Sequence, residues 1–324
     1  MNAKLRSIYE FFKTNNALFV LMLIVAASAL LVGDRFFKPS NVFNLLQTIG
    51  TFGILAAGLS FVFIVGGIDL SIGYQVAFCG TAFAMLAPRL GFFAAAAISI
   101  AAGVLIGYCN GSIVTRLGIP SLIGTLAVMT VLKGLVLLIN GAGGSKSVRD
   151  VLLGGGPLPS FYNMKIFGFL SPSMLIALLL FCAFAVFLKW TRSGVGMYVI
   201  GGNPEAAVLS GIDKDRIMRL TYTVCGFCSA VCAVLCVIRN NASTYNMGDN
   251  IDIVAICSVV IGGVRMTGGR GNMLMCATGV AIIQMINNAM IKIGLQTSVQ
   301  ALIMGIIVII VLIINKITSG YEEK

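Results

Sequence analysis

The sequence contains no histidine, and only 10% of its 324 residues are charged, 11 of them acidic. The first absence removes the side chain that most often does acid–base work near neutral pH and most often binds metals. HExxH and GxSxG strings are missing too, so an intramembrane enzyme has no recognisable machinery and no catalytic residue is assigned. The second absence excludes a soluble chain, because globular domains carry roughly 25% charged residues. A basic stripe with interleaved aromatics is also lacking, which excludes nucleic acid as the reason for the formal charge of +11. CGFC at Cys225–Cys228 has no second CxxC to complete a zinc site, and no metal is expected. Cys225, Cys228, Cys232 and Cys236 instead fall on one helix face inside an apolar run and read as small packing side chains. GAGGSKS at 141–147 has Ser145 where a phosphate-binding loop needs glycine before its lysine.

What is present is hydrophobic side chain, 58% of the total, in runs long enough to cross a bilayer as helices. The pattern predicts an all-α polytopic membrane protein with about ten spans: 17–33, 43–66, 71–87, 92–112, 119–140, 172–190, 219–239, 252–264, 271–290 and 297–315. The segment 252–264 is too short to cross alone and reads as a broken or half helix. The small residues Ala27-Ser28-Ala29 lie inside the first apolar run, which favours an uncleaved first helix over a signal peptide. With both termini in the cytoplasm, thirteen Lys and Arg fall on the inner side, eight on the outer, and Lys133 lies within a span. That bias supports N-in, C-in. The whole chain, 1–324, is then one transmembrane domain with an external loop near 141–171 and a cytoplasmic loop near 191–218. No soluble domain can form from what remains.

The cytoplasmic loop carries YVIGGNPEAAVLSGIDKDRIMRL from Tyr198 to Leu220. Asn203 is a good N-cap, Pro204 suits the first helical position, and Glu205 lies near the positive end of the helix dipole. Gly211 supplies a C-terminal stop. These residues predict a helix over 204–210 presenting Ala206, Ala207, Val208 and Leu209, set off by Gly201-Gly202 before it and a second cap at Asp213. So short a helix is marginal alone in water, and its small apolar surface reads as a docking element, the alternative being an ordinary amphipathic loop lying on the membrane.

GGNPEAAVLSGI resembles the cytoplasmic coupling loop of the membrane-spanning permeases of ribose-type ATP-binding-cassette importers. VGGIDLSIG at 65–73, NGSIVTRLGIPSLIGTLAVMTVLKG at 110–134 and DIVAICSVVIGGVRMTGGRG at 252–271 are similar to further segments of that family, in the same order. The resemblance implies a permease subunit that forms the pathway for a monosaccharide or similar small polyol in the bacterial cytoplasmic (inner) membrane. It implies partner ATPase subunits that use ATP-Mg and grip the 204–210 helix, so that this chain binds no cofactor itself. An extracytoplasmic sugar-binding protein and a second permease copy or sister permease complete the implied assembly. Lys133, Asn250 and Arg265 depart from the family's usual residues.

Two strings, VFIVGGIDLSIG from Val62 and VVIGGVRMTGG from Val259, each place a Gly-Gly pair after an apolar run. This pattern could mark two related halves. Aligned on Gly66-Gly67 and Gly262-Gly263, Asp69 and Arg265 occupy matched positions with opposite charge, which suggests that they are paired or lie near a wet cavity and steady an inner gate; simple placement at the headgroup boundary is the equal alternative. Gly103, Gly107 and Gly111 form a small-residue stripe for close helix packing. Gln284, Asn287 and Asn288 cluster on one helix face, where their amides could meet sugar hydroxyls or neighbouring helices. The competing class is an ion-coupled secondary sugar transporter with Asp69 as its ion site. It leaves the docking helix unexplained.

Overall fold

Chain that enters hydrocarbon must satisfy its own backbone hydrogen bonds, and helices do so within one segment. The computed structural model is accordingly helical through most of its length, and it describes residues 16–141, 143–153 and 156–322. Lys4, Arg6, Lys13 and Lys324 of the charge count lie outside the described residues.

Helix α1 (Asn16–Val32) is followed by a short 3-10 turn at Gly33–Arg35. Four long helices come next: α2 (Pro39–Ile64), α3 (Ile72–Leu90), α4 (Phe92–Arg116) and α5 (Ser121–Asn140). The segment after α5 holds β1 (Ser145–Ser147), β2 (Leu152–Leu153), β3 (Gly156–Pro157) and the short α6 (Leu158–Tyr162). Then follow α7 (Pro172–Trp190), α8 (Arg192–Gly202), α9 (Pro204–Leu209) and α10 (Lys214–Asn240). The chain closes with β4 (Ala242–Thr244), α11 (Ile251–Ile261), α12 (Met273–Lys292) and α13 (Thr297–Glu322). β1 pairs antiparallel with β4, Ser145 opposite Thr244, and β2 pairs with β3. Because α7 runs between them, the segment holding β1–β3 and the segment holding α8 and α9 lie at opposite ends of the bundle.

Each of the ten segments read from the sequence falls on a helix, but among the described residues six helices are long and apolar enough to cross a membrane: α2, α4, α5, α7, α10 and α12. The shortfall has local causes. α11 spans 11 residues, and α3 carries Pro88, Arg89 and the buried polar Gln75 and Thr81.

The core forms around α2 and α10. Every residue of α2 from Gly53 to Ile64 is buried, as are Cys225, Cys228, Cys232 and Cys236 of α10. A helix apolar all round belongs in such a place. α4, α5 and α7 lie outside them and leave large apolar side chains exposed, as a lipid-facing layer does. α4 crosses α10 on the predicted glycine stripe. A Cβ on Gly103 or Gly107 would come within 2.6 or 2.2 Å of the Gly226 or Tyr222 carbonyl oxygen, and one on Gly111 within 2.7 Å of Arg219 Cα.

Candidate functional site

The predicted cytoplasmic helix forms at Pro204–Leu209, and both of its ends are closed. The Asn203 side-chain oxygen accepts from the backbone N–H groups of Glu205 and Ala206, each at 3.0 Å. At the other end Gly211, with φ +76°, donates to Val208 O at 2.9 Å, and Ile212 N donates to Ala207 O at 3.0 Å. This is the two-bond C-cap that a left-handed glycine permits. Asp213 caps α10 in turn through Arg216 N at 2.9 Å. Asn203→Ala removes two hydrogen bonds from a helix of six residues and should cost about 1 kcal/mol locally. Amide hydrogen exchange across 204–209 should accelerate several-fold while exchange in α10 stays unchanged.

One expectation is corrected. Ala207 is fully buried against the bundle, because the six-residue helix needs one side chain turned inward to hold it there. Glu205, Ala206, Val208 and Leu209 remain exposed, Leu209 at 89%. Bulk at Ala207 would therefore disturb packing and would not test docking.

The structure also shows what α9 is fastened to. It packs on α8, a helix that sequence reading passed over because its glycines argue against helix. A Cβ on Gly201 of α8 would lie 1.9 Å from Ile64 O and 2.4 Å from Gly269 N, while those two groups share a hydrogen bond of 2.9 Å. Gly268 and Gly269 press on Gly201 and Gly202, and Tyr198 Oη donates to Gly271 O at 2.7 Å. The α8–α9 segment is thus seated on the end of α2 and on the loop after α11 together. Gly268, Gly269 and Tyr198 were missed in the sequence, although TGG at 267–269 stood inside a quoted string.

α2 and α11 stop in the same way. Gly66 N donates to Phe63 O and Gly67 N to Val62 O; Gly263 N donates to Val260 O and Val264 N to Val259 O. The left-handed residue is Gly66, φ +79°, in the first and Gly263, φ +100°, in the second. The caps therefore match Gly66 with Gly263, one residue out of the register that pairs Gly66 with Gly262. Asp69 and Arg265 are not at equivalent positions, and the symmetry that suggested their pairing is removed.

Asp69 lies in the connection between α2 and α3 and is fully buried. Its Oδ1 accepts from Ser71 N at 2.9 Å and Ser71 Oγ at 2.6 Å, and its Oδ2 from Gln75 Nε2 at 3.3 Å and Asn110 Nδ2 at 3.5 Å. Burial pushes its carboxyl above the usual carboxylate range, opposed by the Ser71, Asn110 and Gln75 hydrogen bonds. The same connection is held by Ser121 Oγ on Ile68 N and Thr125 Oγ1 on Leu70 N, each at 3.2 Å. Neutral donors anchor this corner.

Gln284, Asn287 and Asn288 have different surroundings. Asn288 exchanges hydrogen bonds of 3.0 Å with Asn41 and so ties α12 to α2. Gln284 is buried on α12 with Nε2 unpartnered, and Asn287 is half-buried.

A family profile described as branched-chain amino acid transport system / permease component matches residues 41–312. The chain belongs to that family. This permease is 31% identical over 312 residues to the ribose import permease of Bacillus subtilis (strain 168), covering 94% of this chain and 92% of the relative. It is 28% identical over 290 residues to a fructose import permease of Bifidobacterium longum (strain NCC 2705), covering 87% and 80%. With an autoinducer 2 import system permease of Photorhabdus luminescens it shares 28% over 312 residues, covering 94% and 92%. No solved structure matches the chain. The chain is a multi-pass transport subunit of an importer, and the ion-coupled alternative is set aside.

Proposed function

We propose that this permease carries a neutral monosaccharide or similar small polyol through the bacterial cytoplasmic membrane, driven by ATP-Mg hydrolysed in partner ATPase subunits. Both termini and α9 face the cytoplasm, and ten helices, α11 as a half helix, lie in the bilayer. A second permease copy or sister chain and an extracytoplasmic binding protein complete the assembly. The sugar names of the relatives support the substrate class.

The observation that carries this reading is α9, a helix capped at both ends whose Leu209 is 89% exposed beside the exposed Val208. Burying two such side chains in a partner contributes about 1.5–3 kcal/mol each. Gly201, Gly202, Asn203, Pro204, Glu205, Ala206 and Gly211 hold that surface in place. Gly66, Gly67, Asp69, Gly262, Gly263 and Arg265 belong to the gate against which the segment works. ATPase closure draws α9 along, and α8 passes the movement to the ends of α2 and α11.

The test is reconstitution with the ATPase subunits and the binding protein. Leu209→Asp should leave thermal unfolding of the permease unchanged, weaken retention of the ATPase by about tenfold or more, equivalent to about 1.4 kcal/mol, and abolish ATP-driven uptake. Unchanged retention and uptake would overturn the coupling role. Full uptake on an ion gradient without nucleotide would overturn the importer reading.

A further inference from the structure

We propose that Lys133, with Tyr74, Asp249 and Asp252, forms a hydroxyl-binding station on the wall of a wet pathway through the permease. The proposal rests on the importer reading for the identity of the cargo, but the wetness of the station stands apart from it.

Lys133 is the one charged residue in the apolar helix α5. Its side chain is exposed, and its ammonium lies 5.3 Å from the centroid of the Tyr74 ring. Tyr74 is 5% exposed and donates through its hydroxyl to Asp249 Oδ1 at 2.5 Å. Asp249 is exposed, and Asp252 lies in the first turn of α11. Gly73 brings the elements together: a Cβ there would sit 2.7 Å from Gly248 O and 3.4 Å from Asp252 N. The start of α3 is therefore pressed against residues 248–252.

Two independent measures place this cluster deep in the bilayer. α11 has 11 residues, about 16 Å of helix at 1.5 Å per residue, and its far end joins the loop seated on Gly201. Its start therefore lies about halfway through a hydrocarbon layer of about 30 Å. Lys133 stands twelve residues beyond Ser121, about 18 Å along α5, and Ser121 holds Ile68 near that same end.

An exposed ammonium at this depth facing lipid is unfavourable even on the lenient insertion scale. Lysines near helix ends escape by reaching to the interface, but this one is directed at a buried ring. Water on that face removes the penalty. The chemistry then fits a neutral polyhydroxylated cargo: carboxylates accept from hydroxyls, and the ammonium donates to the next oxygen. A phosphorylated or acidic sugar would meet two carboxylates against one cation and be repelled.

The experiment is thiol accessibility in the full chain, reconstituted in vesicles, with the exposed Cys109 and Cys182 replaced by alanine. Lys133→Cys is compared with Val131→Cys. Val131 is 61% exposed, lies at nearly the same depth, and is turned about 160° away on a helix of 3.6 residues per turn. A membrane-impermeant trimethylammonium methanethiosulfonate is the probe. Lys133→Cys should react at least about tenfold faster than Val131→Cys, the ratio expected where water wets one face and lipid the other. Equal or slower reaction would overturn the station, whether lipid or a second copy of the chain covers that face. Fast reaction, with no ATP-driven uptake of any neutral monosaccharide by the parent that retains Lys133, would keep the wet station and remove the neutral-sugar cargo. Slow reaction of Lys133→Cys with full uptake by the parent would remove the station alone. As a second readout, Lys133→Arg should retain uptake while Lys133→Met, equally well folded, loses it about tenfold; equal uptake by both would count against a donor at this position.

Discussion

Gly226→Val should leave little folded permease to purify, and what survives should unfold at a much lower temperature than the parent. A Cβ at Gly226 would lie 2.1 Å from Gly103 O and 3.0 Å from both Gly107 N and Gly107 Cα. All three obstructing atoms are backbone, so no side-chain rotation relieves the clash. α4 and α10 would have to move apart, and Gly103 and Gly107 would lose their close contacts together. In a bilayer the hydrophobic effect does not drive helix against helix, so close packing carries much of the association. Overpacking usually costs about 1–3 kcal/mol, and a backbone-against-backbone clash belongs at or above the top of that range. The control is Gly305→Ala on α13, where an added Cβ meets nothing within 4 Å; it should hold or raise stability, since alanine is the better helix former by about 1 kcal/mol. Thermal unfolding in detergent reads both. A Gly226→Val midpoint within a few degrees of the parent would mean that this crossing carries little of the fold.

Much of the architecture was legible because apolar length and helix-end chemistry are local properties. Asn203, Pro204 and Gly211 fix α9 through hydrogen bonds to their immediate neighbours, so sequence alone located its ends to within a residue. The glycine stripe on α4 was readable for a similar reason, since spacing of four residues puts Gly103, Gly107 and Gly111 on one face. What stayed hidden depends on distant partners. α8 contains glycines at 194, 196, 201 and 202 that oppose helix formation, and tertiary contact overrides them. Nothing near Ala207 says that it turns inward while Leu209 turns out. The register of the two Gly-Gly corners also escaped, because the repeated letters are identical whichever glycine takes the left-handed position. Only the hydrogen bonds of Gly66 and Gly263 decide it.

These hidden contacts decide how a movement of α9 reaches the bundle. α9 packs chiefly on α8 and touches the start of α10, so the proposed ATPase partner, pulling on it, would act mainly through whatever α8 touches. Gly201 touches Ile64 at the end of α2 and Gly269 after α11 at once. A single small residue therefore links the proposed docking surface to the end of α2 and to the loop after α11.

Gly201→Val should separate docking from transport. The added Cβ, placed 1.9 Å from Ile64 O and 2.4 Å from Gly269 N, would break the 2.9 Å hydrogen bond between those atoms and wedge α8 away from the end of α2 and from the loop after α11. The exposed face of α9 and both of its caps lie outside the clash, so ATPase subunits should still bind and hydrolyse ATP. Uptake should fall by about 5–150-fold, the range that a coupling free energy of about 1–3 kcal/mol spans. Gly202→Ala serves as the control for bulk, since a Cβ there meets nothing within 4 Å, and it should keep its uptake. Leu209→Asp gives the opposite pattern, losing ATPase retention and uptake together. Measuring ATP hydrolysed per sugar accumulated in the same vesicles separates the two lesions. If Gly201→Val hydrolyses and transports as the parent does, α8 is not the link, and movement of α9 must reach the bundle through α10 instead.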